Sequence, residues 1–135
     1  MKLLNIAFIL IVTLSTSCQG QEKNKPTLLN YKAQTRGFLY DIHLENDSIQ
    51  VTTNSEIKKA TLTKNQLIKI DSLLGNINFK EIKNNISTND LAVDKAIKGV
   101  FNLEFNGNSY TFDFNHHTLP NEIEEFIKTL EEFTN

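Results

Sequence analysis

Cysteine occurs once, at Cys18, so no disulfide can form within the chain and packing alone must hold the fold. Tryptophan is absent, and glycine and proline number only five and two, which excludes low-complexity and collagen-like architectures. No sign of charge dominates: 14 basic residues face 16 acidic ones. The clustered basic surface of a nucleic-acid binder is missing, and no nucleic-acid partner is expected. The longest apolar stretch, Leu3 to Leu14, is too short to span a bilayer, which takes ~20 residues. The chain also lacks H-E-x-x-H, C-x-x-C and H-x-H spacings, a G-x-S-x-G elbow and a glycine-rich phosphate loop. We therefore expect no metal and no cofactor.

What is present is core material. Nine phenylalanines and many isoleucines and leucines are spread through 135 residues, enough for one domain. Such a domain buries roughly two-thirds of its unfolded surface and needs no staples.

Residues 1–17 have the order of an export signal. Lys2 supplies a short positive start, Leu3 to Leu14 an apolar core broken by Asn5 and Thr13, and Ser15, Thr16 and Ser17 a small-residue stretch before Cys18. The competing reading is a buried helix. Leu14-Ser15-Thr16-Ser17-Cys18 resembles the lipobox of bacterial lipoprotein signal peptides. It departs in one respect: leucine usually lies three residues before the cysteine, and here Ser15 takes that place. Serine-rich variants of this kind are found among Bacteroidota-type lipoproteins. The resemblance implies cleavage before Cys18, a diacylglycerol thioether on its thiol and acylation of the new amine. Each buried methylene then contributes ~0.8 kcal/mol, and two or three chains anchor firmly. Removal of residues 1–17 takes away only Lys2, leaving 13 basic against 16 acidic residues. Residues 18–27, polar and containing Pro26, form a tether. Surface-exported relatives carry an acidic cluster just after the cysteine. With Glu22 alone there, the periplasmic face of the outer membrane is favoured over the cell surface.

Residues 28–135 form the domain. Leu29, Tyr31 and Ala33 alternate with polar residues, Arg36-Gly37 interrupts, and Tyr40, Ile42 and Leu44 resume, the pattern of half-buried strands. A turn at Asn46-Asp47 pairs Leu44 with Ile49, Ile42 with Val51 and Tyr40 with Thr53 on one face. Residues 57–62 read as a further, more polar strand. Thr63-Lys64-Asn65-Gln66 has capping-box spacing, with Leu67, Ile70, Leu73 and Leu74 as a buried stripe and Gly75 as a left-handed stop. Ile77, Phe79, Ile82 and Ile86 suit short extended pieces. Asn106-Gly107 closes a hairpin that pairs Leu103 with Tyr110 and Phe101 with Phe112. Pro120 suits the first position of a last helix, with Ile123, Phe126, Ile127, Leu130 and Phe133 facing the sheet. The expected fold is α+β: an antiparallel sheet of about five to six strands, a meander plus a C-terminal hairpin, packed by two amphipathic helices.

Chemistry is sparse. Asp113, His116 and His117 cluster after the last strand and could supply a general base or ligands, or simply cap the strand as a polar loop. His43 is the only other histidine. Arg36, the sole arginine, suits a bidentate contact that lysine cannot make. Its partner would be Asp94 or Asp113 internally, or a ligand carboxylate. Asp90 and Asp94 lack the dense acidic spacing of a calcium loop. Over residues 31–133 the chain is similar to small Bacteroidota-type envelope lipoproteins, through Thr35-Arg36-Gly37, Asp94-Lys95-Ala96 and Tyr110-Thr111-Phe112-Asp113-Phe114 before the proline-led helix. That resemblance implies location and fold and no activity. The leading expectation is a lipid-anchored, non-enzymatic module that binds an envelope protein. The alternatives are a small hydrolase or metal-dependent enzyme using Asp113, His116 and Arg36, and a purely structural envelope lipoprotein.

Overall fold

The computed structural model describes residues 26–135 apart from 88, 90 and 92–95. Cys18, Asp90 and Asp94, together with the expected signal segment, lie outside the described residues.

Among the described residues, one antiparallel sheet of six strands carries two helices, an α+β fold. The strands are β1 (Leu28–Gln34), β2 (Leu39–Glu45), β3 (Ser48–Thr53), β4 (Ile57–Thr61), β5 (Lys98–Phe105) and β6 (Asn108–Asn115). The helices are α1 (Lys64–Asn76), after β4, and α2 (Asn121–Glu132), which follows a 3-10 turn at His116–Thr118. The spatial order is β4-β3-β2-β1-β5-β6. The first four strands are thus a meander, and the β5–β6 hairpin docks on the free side of β1.

The registers follow from the alternation. Leu44 faces Ile49, Ile42 faces Val51 and Tyr40 faces Thr53. Across β5 and β6, Leu103 faces Tyr110 and Phe101 faces Phe112. A slip of one residue would turn every apolar side chain to water, so burial fixes the pairing. Both short turns use left-handed backbone: Asn46 has φ 56°, Asn106 φ 50° and Gly107 φ 78°. Asparagine tolerates that region and glycine adopts it without a Cβ clash.

Both helices contribute to a single core on one sheet face. Leu29, Tyr31, Ile42, Leu44, Phe101, Leu103 and Phe114 bury against Ile70, Leu74, Ile123, Phe126 and Leu130. Each such side chain contributes roughly 1.5–3 kcal/mol by leaving water. The capping box at Thr63 forms in full: its Oγ1 accepts from the Gln66 amide while the Gln66 side chain accepts from the Thr63 amide. No helix among the described residues is long and apolar enough to cross a membrane.

Three local expectations change. Gly75 does not stop α1; the helix runs to Asn76 and ends at extended Ile77 (φ −79°), whose amide bonds the Leu74 carbonyl. Pro120 is the residue before α2, with ψ 140°, rather than its first helical position. Ile77, Phe79, Ile82 and Ile86 form no strand. Phe79 instead stacks on Tyr110 at 4.3 Å between ring centroids, so the segment after α1 covers the β5–β6 hairpin.

Neither α1 nor α2 packs on the sheet's opposite face. One cross-strand row on it runs through all six strands as Lys59, Gln50, His43, Asn30, Asn102 and Thr111. Every member is polar, and none is buried.

Candidate functional site

His116 and His117 are adjacent, with ring centroids 5.9 Å apart and planes tilted by 58°, but only His116 is partly buried. β6 alternates Phe112 and Phe114 toward the core, and His116 continues that side as the strand passes into the 3-10 turn. Its amide donates to the Ile97 carbonyl at 2.8 Å, which holds the backbone against β5. The His117 amide is capped by the Asn115 Oδ1 at 3.1 Å, and its side chain is exposed.

The His116 ring enters a cage of aromatic side chains. Its centroid lies 5.9 Å from Tyr31, 5.1 Å from Phe38 and 5.0 Å from Tyr40. The Tyr31 hydroxyl is 2.8 Å from His116 Nδ1. Tyr40 donates its hydroxyl to Glu131 Oε1 on α2 at 2.6 Å. Burial raises both phenols far above their ordinary range, and the Glu131 carboxylate adds to the shift at Tyr40. Each phenol therefore keeps a proton to donate. Burial also lowers the His116 pKa, helped by His117 and opposed by Glu131. In neutral His116, Nδ1 accepts from Tyr31 in the tautomer protonated at Nε2 and donates to it in the other; in both, Nδ1 is the engaged nitrogen.

Room for this arrangement comes from two small residues. Ala33 on β1 faces Gly99 on β5, and both are buried. A Cβ at Gly99 would fall 2.8 Å from Tyr31 Cε2 and Cζ, so the tyrosine ring occupies the space that any side chain there would need. Beside the cage, a shallow cleft of about 200 Å³ opens between the 3-10 turn and α2, lined by His116, His117, Glu124, Lys128 and Glu131.

The other expected residues lie elsewhere. Asp113 is on the face away from α1 and α2, 2.8 Å from Lys98 Nζ across the hairpin. Its pleat is opposite to that of Phe112 and Phe114, so it does not meet His116. Arg36 is exposed at the tip of the β1–β2 loop. That loop closes by the Thr35 amide bonding the Phe38 carbonyl at 2.8 Å and by Asn54 Nδ2 bonding the Gly37 carbonyl at 2.7 Å. The expected ion pair of Arg36 with Asp113 does not form, because Lys98 holds that carboxylate, and no other ion-pair partner of Arg36 is found among the described residues. His43 is 3.7 Å from Glu45 on the exposed face. Asp113, His116 and Arg36 thus do not converge.

Tyr31, Tyr40 and Glu131 are the members that sequence reading missed. One signal was available: a tyrosine on a buried strand face needs a hydroxyl partner. The cage holds no metal set, since no group of three or more histidine, cysteine or acidic side chains that could bind an ion occurs among the described residues. Comparison with protein-family models, with curated proteins and with solved structures returned no match.

Proposed function

We propose that this chain is a lipoprotein of the bacterial cell envelope, anchored by acyl chains on Cys18 at the periplasmic face of the outer membrane. Its α+β domain works there as a non-enzymatic module that binds an envelope protein. The anchor is supported by the order of residues 1–17 and by the position of the sole cysteine after Ser15-Thr16-Ser17. The binding role is supported by the sheet face away from α1 and α2, where a polar, unburied row crosses six strands. An interface of this kind is wet and hydrogen-bonded rather than core-like.

The chemistry at His116 favours binding over catalysis. A general base needs a free lone pair within reach of its substrate. His116 Nδ1 is bonded to the Tyr31 hydroxyl, and the Asp113 carboxylate that could have oriented the ring pairs with Lys98 instead. The cage therefore serves to join sheet, 3-10 turn and α2.

The test is an intact mass of the protein extracted from membranes, beside a Cys18→Ala variant. Acylation in the first and its loss in the second is the expected result. A soluble, unmodified wild-type protein would remove the anchor. Crosslinking in intact cells then tests for a protein partner.

A further inference from the structure

The two edges of the sheet are finished differently. Along β6, the segment after α1 supplies side-chain partners to the outer main chain. Asn84 Oδ1 accepts from the Asp113 amide at 2.9 Å, and Asn85 Oδ1 accepts from the Asn115 amide at 2.7 Å. The Asn85 amide in turn donates to the Asp113 carbonyl at 3.2 Å. The C-terminal end of that edge is thus covered.

The β4 edge has no such cover among the described residues. The Thr53 amide bonds the Glu56 carbonyl and the Leu62 amide bonds the Asp47 carbonyl. With the register of β3 on β4, these bonds turn the main chain of Glu56, Lys58, Ala60 and Leu62 inward. Strand alternation then turns the N–H and C=O groups of Ile57, Lys59 and Thr61 outward. The same strand holds Ile57, 62 % exposed and the most exposed large apolar side chain among the described residues. Lys58 is engaged, 3.4 Å from Glu56 and bonded to Asn135. Lys59 is exposed and has no ion-pair partner among the described residues.

We infer that β4 is a docking edge that takes an extended segment of a partner protein as a seventh strand, with an acidic side chain beside Lys59 and an apolar one beside Ile57. Main-chain bonds to Ile57, Lys59 and Thr61 would supply affinity, and the two side chains register. Alternate side chains of the incoming strand fall on the helix side, where Glu56, Lys58, Glu131, Thr134 and Asn135 line a cleft of about 210 Å³. A second copy of this chain fits poorly. Antiparallel pairing about the middle of β4 sets Lys59 against Lys59, and like charges placed opposite repel. Lysine on the edge thus discourages self-association while leaving an acidic strand welcome.

This inference rests on the reading of the domain as a protein-binding module, and its test separates the two. The probe is a synthetic peptide of about eight residues with threonine at every other position and valine and glutamate taking turns at the positions between, added to the full chain in mild detergent, with lysine in place of glutamate as control. Amide exchange at Ile57, Lys59 and Thr61 is expected to slow about tenfold with the acidic peptide only. Lys59→Pro removes an outward N–H and no bond within the sheet, and it should abolish the effect; Lys59→Glu does the same by charge should the proline variant unfold. Photocrosslinkers at Thr61 and at Asn30 are then compared in cells. Edge protection with a protein adduct from Thr61 supports the inference. Adducts from Asn30 alone, without edge protection, overturn the docking edge and leave the binding module standing. No adduct at either position, and no protection, overturns both.

Discussion

His116 makes the domain sensitive to acid. Its pKa in the fold lies below the ordinary value of 6.5, chiefly through burial. The unfolded chain therefore takes up the proton first as pH falls, and stability drops through the interval between 6.5 and the folded value. Above 6.5 the contribution is complete, and below the folded value it is lost. Urea melts at about pH 7.5 and about pH 5 should show the weaker fold at the lower pH. Tyr31→Phe removes the hydrogen-bond partner of His116 Nδ1. It should cost about 1 kcal/mol at neutral pH and, in the tautomer protonated at Nε2, raise the His116 pKa, measured on its ring protons by NMR. An unchanged His116 titration in that variant would mean that the hydroxyl does not serve the imidazole. Gly99→Ala tests the same cage by volume: the Tyr31 ring must shift, at about 1–3 kcal/mol. Conventional reading of strand alternation finds Tyr31 and Tyr40 as core positions. Their partners stayed hidden because they lie far along the chain, 85 residues from Tyr31 to His116 and 91 from Tyr40 to Glu131.

At the scale of elements, local chemistry was most legible where one residue type has one use. Asn106-Gly107 and the Thr63–Gln66 box could be read directly, since both satisfy backbone needs within a few residues. Thr63→Ala should lower stability by about 1 kcal/mol, visible as a shift in the urea midpoint at constant slope. Gly75 misled because a glycine near a helix end is tolerated inside it when the next residues extend the helix. The segment 77–87 was opaque for another reason. Asn84 and Asn85 serve the edge of β6, while Asn78 bonds Glu81 within a turn. Asn85→Ala would free the Asn115 amide and the Thr118 carbonyl together. We expect a loss of about 1–3 kcal/mol and faster amide exchange at Asn115, with the far edge at β4 unaffected.

For the whole molecule, alternation settled the class of fold and left the order of strands open. Hairpin registers are local, whereas the pairing of β1 with β5 joins segments separated by α1 and the loop after it. The sole arginine illustrates the same limit. Asp113 was one of its two expected internal partners, yet Lys98, diagonally across the hairpin, holds that carboxylate instead. Proximity in the sheet decided between two cations that the sequence could not rank.

The central position of β1 has a consequence for the order in which the chain is completed. Emerging from the N-terminal side, β1 can pair at once with β2, and the meander through β4 forms by neighbouring contacts. Its other side, with Leu29, Tyr31 and Ala33, stays unpaired until Lys98–Phe105 arrives. Loop closure over that distance is slow relative to hairpin formation. During that interval the future middle of the sheet is an apolar edge, the form in which chains pair wrongly with one another. A chain cut short before Lys98 would keep this edge for good and should aggregate, measurable by light scattering on dilution from urea.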